Sequence, residues 1–124
     1  MKITTFNPQI ITKDADSFIQ LFEELGFERR HRQEGIGELE VTGVRMRDAN
    51  GFYLDVSQTD ALPQQALLAI RINVDSFDDA CAVLLAHGFK NYYGDHTVQT
   101  ATSRSAVMIS PEGLAINLVE HIGK

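Results

Sequence analysis

Two short segments carry the side chains best suited to chemistry. Val44-Arg45-Met46-Arg47 and Tyr53-Leu54-Asp55-Val56-Ser57 alternate apolar and polar residues, the period of a strand with one face turned to a core. Their polar members would place two guanidinium groups, a phenol and a carboxylate on one side of a hairpin. Arginine offers a planar fork matched to carboxylate or phosphate. A carboxylate can act as a base or as a metal ligand.

Other reactive types are less suggestive. His87 ends an apolar helical stripe, where a cation favours the helix dipole. His121 falls beyond the last strand, and His96 lies in the polar loop from Gly94 to Ser103. His31 stands among Arg29, Arg30 and Arg32 and reads as a surface residue, or as an acid–base group should its face turn inward. No two histidines have the spacing of a metal pair on one element. Cys81, the only cysteine, sits on an apolar stripe and reads as a buried thiol rather than a nucleophile. The Arg29–Arg32 cluster lacks the interleaved aromatics of a nucleic-acid platform.

Composition narrows the partners. The chain has 124 residues, enough for one domain, with 44% hydrophobic and 23% charged residues, as a globular protein has. Eleven Lys and Arg against 17 Asp and Glu give a net charge of −6, which repels nucleic acid and anionic membranes. No apolar run nears the roughly 20 residues of a membrane span. The N-terminus lacks the apolar segment of a signal peptide. A cytoplasmic protein with neither nucleic acid nor membrane as partner is expected.

The elements that must position these side chains come twice. Gly26-Phe27 recurs as Gly88-Phe89, and Asp48-Ala49-Asn50-Gly51 recurs as Ser110-Pro111-Glu112-Gly113, both 62 positions later. Met46 meets Met108 and Leu54 meets Ile116 at the same offset. In the first copy Lys2 to Thr12 reads as a strand, Asp14 as an N-cap, and Ala15, Phe18, Leu21, Phe22 and Leu25 as a helical stripe ended by Gly26. Strands follow at Phe27 to Gln33, after which comes a loop around Gly35 and Gly37. A hairpin of Leu39 to Asp48 and Phe52 to Gln58 closes the copy.

In the second copy Leu67 to Val74 is a strand and Ser76 with Asp79 a capping box. Phe77, Ala80, Cys81, Leu84 and Leu85 form the stripe, closed by Gly88. Strands follow near Phe89–Tyr93, Thr102–Ile109 and Leu114–Glu120. The fold class is thus α+β, two tandem βαβββ modules with helices on one sheet face. A single domain, 1–124, contains modules 1–58 and 66–124 with a linker at 59–65.

This pattern resembles the vicinal oxygen chelate superfamily, which includes glyoxalase I, extradiol dioxygenases and bleomycin-resistance binding proteins. The matching stretches are Lys13 to Phe18 through Leu25-Gly26-Phe27, and Ser110-Pro111-Glu112-Gly113 through Glu120. The resemblance implies a curved mixed sheet whose two modules form a cup around a ligand, with the helices outside, and often a homodimer. It also implies metal positions at Asn7, Asp55, Ala69 and Asn117. Only Asp55 among them is a strong ligand for a transition ion, so no metal and no other cofactor is expected; the alternative is a divalent metal.

Strand alternation turns Phe6, Ile10, Val44, Met46, Phe52, Leu54 and Val56 toward the first helix. Leu68, Ile72, Ala106, Met108, Leu114, Ile116 and Leu118 turn toward the second. The opposite face then offers Asn7, Arg45, Arg47, Tyr53, Asp55, Arg71, Val107, Ile109 and Asn117 as ligand-binding residues, charged in one module and aliphatic in the other. Glu120 joins them only should that face extend to its edge. The expected function is binding of a small amphipathic anion as a glyoxalase- or bleomycin-resistance-type protein without the usual metal. The alternative is a glyoxalase-like, metal-dependent lyase or isomerase using Asp55.

Overall fold

Both helices are fixed at their ends by side chains that the sequence spaces identically. A computed structural model describes residues 1–36, 41–60, 65–94 and 97–122. The loop at Gly37, the expected strand start at Leu39, most of the linker and His96 lie outside the described residues. The first module folds as β1 (Ile3–Thr12), α1 (Ala15–Glu24), β2 (Glu28–Ile36), β3 (Val41–Arg47) and β4 (Tyr53–Gln58). The second folds as β5 (Leu67–Val74), α2 (Phe77–Ala86), β6 (Lys90–Asn91), β7 (Val98–Gln99), β8 (Ser103–Ile109) and β9 (Ala115–His121). The architecture is mixed α+β, βαβββ in the first module and the same order with one additional short strand in the second. A two-residue strand, β7, lies within the expected polar loop, and His121 ends β9 rather than following it.

Asp14 accepts the N–H of Ser17 at the start of α1, and Ser76 accepts the N–H of Asp79 at the start of α2. The Ser17 bonds, side chain first and backbone second, hold the Asp14 carboxyl below its ordinary value. At the other ends Gly26 and Gly88 take φ of 109° and 87°. Phe27 N–H then reaches back to the carbonyl of Phe22, and Phe89 N–H to that of Leu84, which closes the last turn. Gly51 and Gly113 serve the two hairpin turns in the same way, their N–H groups bonding to the carbonyls of Asp48 and Ser110.

The described chain divides into two units, Asn7–Leu68 and Met1–Phe6 with Ala69–Lys124. In the first unit the strands run in the order β2-β3-β4-β1, with β1 parallel to β4 and the others antiparallel. Helix α1 covers one face through Ala15 and Ile19, which pack with Ile10, Val44, Met46, Leu54 and Val56. In the other unit the order is β1-β5-β9-β8-β6, with β7 beside β8. Phe77 and Ala80 of α2 pack there with Val74, Ala106, Met108 and Leu118. The first residues of β1 belong to this unit: Asp75 N–H bonds to the carbonyl of Lys2, and the Thr4 hydroxyl to that of Asn73.

The assignment of faces holds through the core, and the differences lie in which of those residues are covered. Phe6, Leu68, Phe52 and Leu114 have the expected parity but are exposed, Phe6 by 64%. Phe52 and Leu114 precede the first residues of β4 and β9. Leu25 is 65% exposed because it is the C-cap, where the stripe runs off the end of α1. Leu21 lies on the flank of that stripe and Leu85 is exposed on α2. The centre of the α1 contact is Ile19, fully buried.

Candidate functional site

Leu54 and Val56 are taken by the core, so β4 must turn Tyr53, Asp55 and Ser57 to the face away from α1. Antiparallel pairing sets Arg45 opposite Asp55 and Arg47 opposite Tyr53. Parallel pairing sets Gln9 on the other side of Asp55, and Ile11 beside Ser57. Asp55 therefore stands in the middle of a row, flanked by a strand that brings a cation and one that brings amides.

The side chains close on it. Arg45 Nη1 lies 3.0 Å from Oδ2 of Asp55 and 3.3 Å from Oδ1. Asn7 Nδ2 donates to the same Oδ2 at 2.7 Å and to the carbonyl of Pro8 at 2.8 Å. Gln9 Nε2 donates to the Ser57 hydroxyl at 2.7 Å. Asp55 is 4% exposed and Asn7 6%, so the carboxylate and its amide are withdrawn from water, while the Arg45 side chain is half-buried. The ring of Tyr53 covers the Arg45 guanidinium, 4.1 Å from its centroid, and Arg47 approaches the same ring at 5.6 Å. Arg47 is exposed and makes no ion pair among the described residues. Oδ1 of Asn7 is buried and accepts no hydrogen bond.

The other unit carries the corresponding row with different chemistry. Arg71 lies opposite Asn117 across β5 and β9, and Asn117 opposite Val107 across β9 and β8. Arg71 Nε donates to Oδ1 of Asn73 at 3.1 Å. Val107 is buried and Ile109 half-buried. Where the first unit has Asp55 and Arg45, this one has an amide and an isopropyl group.

Other candidates stand apart from these rows. His31 is in register with Arg45 but exposed on β2. His87 is the C-cap of α2. Cys81 is half-buried against the α2 core. Glu120 turns to the start of α2, where Oε1 accepts the N–H of Phe77. Tyr93 is half-buried beside Tyr92, and burial first, Tyr92 second, pushes its hydroxyl up to about 12. Among the described residues no group of three or more His, Cys, Asp or Glu side chains could hold a metal ion. The Asn7–Asp55 and Gln9–Ser57 bonds join residues 48 positions apart, so the only sequence signal for them was the shared face.

No protein-family model and no curated protein matches the chain. Solved structures do. A methylmalonyl-CoA epimerase matches with a TM-score of 0.61 at 22% identity, covering 95% of this chain and 94% of that one. A hypothetical protein of Bacillus halodurans matches at 0.68 and 11%, covering 100% and 98%. A glyoxalase/bleomycin resistance protein/dioxygenase superfamily member from Vibrio splendidus matches at 0.60 and 14%, covering 96% and 99%. The chain has the vicinal oxygen chelate fold that these likenesses share.

Proposed function

We propose that this protein binds a small amphipathic anion and does so without a metal ion. Asp55 carries the assignment. Its carboxylate is already engaged by Arg45 and by Asn7, so a divalent cation there would have to displace a guanidinium or sit beside it. The neighbouring donors suit a transition ion no better. Asn7 offers an amide oxygen, a poor ligand for zinc, nickel or iron. The corresponding residue of the other unit is Ala69, which offers nothing. These residues do not fit the metal that the fold family implies.

The same arrangement suits an anion. Arg45 is committed to Asp55, which leaves Arg47 as the cation at the rim, and Tyr53 as an apolar surface beside it. Because one neighbour in fold is a methylmalonyl-CoA epimerase, acyl-CoA thioesters belong in a ligand screen alongside simple carboxylates and phosphate esters.

The test is thermal unfolding with that panel, in chelator and again with zinc, nickel or cobalt. A ligand that binds the folded state raises Tm. The expected result is a rise with at least one anion class that chelator leaves unchanged and Arg47→Ala reduces. Stabilisation that requires the metal would overturn the assignment.

A further inference from the structure

We propose that His31 is a further anion-binding residue, and that its protonation strengthens the hold on the anion. His31 in this role depends on the anion-binding assignment above and adds one residue and a pH dependence to it.

The backbone of β2 sets His31 on the face that carries Arg45. Arg29 pairs with Met46 of β3 and its guanidinium reaches Glu23 of α1, so Arg29 lies on the helix face. Arg32 pairs with Val44, which is buried in the core under α1. Two residues three apart share one face of a strand only where an extra residue interrupts the alternation. The register shifts at that point, between Arg29 and His31, and Arg30 has no opposite number. His31 thereby falls opposite Arg45, where regular alternation from Arg29 would have turned it toward the helix. Bulges re-aim side chains in this way on edge strands, and β2 is the outer strand of its unit.

The imidazole is open to a ligand. His31 is exposed and makes no hydrogen bond or ion pair among the described residues. Gln33, next along the same strand, lies opposite Gly43, so no β3 side chain stands on that flank. On the other flank Arg47 is a diagonal neighbour across the two strands, a separation that long side chains can close around one small anion. The charged groups nearby are otherwise taken. Arg45 of β3 is committed to Asp55 of β4, and Tyr53 covers it. Glu28 lies 3.7 Å from Arg30, and Arg32 pairs with Glu34. Glu23 of α1 is held by Arg29 on the opposite face. No described carboxylate pairs with His31, so an anion seated beside Arg47 is the group that a protonated imidazole would meet.

Phenylacetate and benzenesulfonate, whose charges stay constant between about pH 5.5 and 8.5, give the test. Calorimetric titration should show both binding about threefold more tightly at the acid end, the scale of an exposed ion pair. Near neutral pH, titration in buffers of different ionisation enthalpy should show that binding takes up part of a proton. Both effects should vanish in His31→Gln, which removes only an exposed side chain, and persist in His121→Gln. Equal binding across the range would overturn the role of His31 and leave anion binding intact. So would a dependence that survives in His31→Gln or is lost in His121→Gln. Failure of both probes to bind at either pH would overturn both.

Discussion

Oε1 of Glu120 accepts the backbone N–H of Phe77, the first residue of α2, from a strand 43 positions away. In the other module Oε1 of Gln58 accepts the N–H of Ala15, the first residue of α1, across the same separation. Each helix start thus has two of its open N–H groups met, one by its own N-cap and one by the end of the last strand.

Removing either strand-borne acceptor should loosen its helix. Glu120→Ala and Gln58→Ala are each expected to cost about 1 kcal/mol, read by urea unfolding. Glu120→Gln should keep most of the bond and lose only the attraction of a carboxylate for the helix start.

Asp55→Ala leaves Arg45 without its counter-charge and the Asn7 amide with one bond fewer. A loss of about 3 kcal/mol is expected. Combining Asp55→Ala with Arg45→Leu should cost less than Asp55→Ala alone, because no charge is then stranded. A double-mutant cycle by chemical unfolding checks both statements.

Tyr93 should titrate near pH 12, visible as one late phenolate transition in the ultraviolet. The unfolded chain releases this proton near 10, so between about 10 and 12 the folded state binds more protons than the unfolded one. Stability contributed by Tyr93 therefore falls as pH rises through that window. Tyr93→Phe should flatten the fall.

Gly26→Ala tests backbone conformation alone, since nothing lies within 4 Å of the added carbon. With φ at 109° it should cost about 1 to 2 kcal/mol. Gly88→Ala adds a contact of 3.3 Å with Cγ of Pro111. Pro111→Ala should therefore relieve part of the Gly88→Ala loss and none of the Gly26→Ala loss, as thermal unfolding of the four variants would show.

Much of the frame was legible in the sequence because it depends on local rules. The glycines at 26, 51, 88 and 113 sit where only positive φ closes the turn, and Asp14 and Ser76 bond within three residues of themselves. Strand parity likewise placed Arg45 and Asp55 on one face, and the hairpin set them opposite each other. Contacts made over distance were not legible. Asn7 meets Asp55 only once β1 lies parallel to β4, and nothing near Glu120 in sequence says that it caps α2. Leu25 shows the same limit from the other side: periodicity names the face, but where the helix stops decides burial.

The bonds that secure each helix lie at its ends, while the row through Asp55 and Arg45 uses only side chains on the far side of the strands. At the matching places of the second copy the chain substitutes Asn117 and Val107 without touching a single joint. A sheet so jointed can be re-faced one copy at a time, which lets a duplicated fold acquire two dissimilar faces opposite its helices while the skeleton beneath them stays the same.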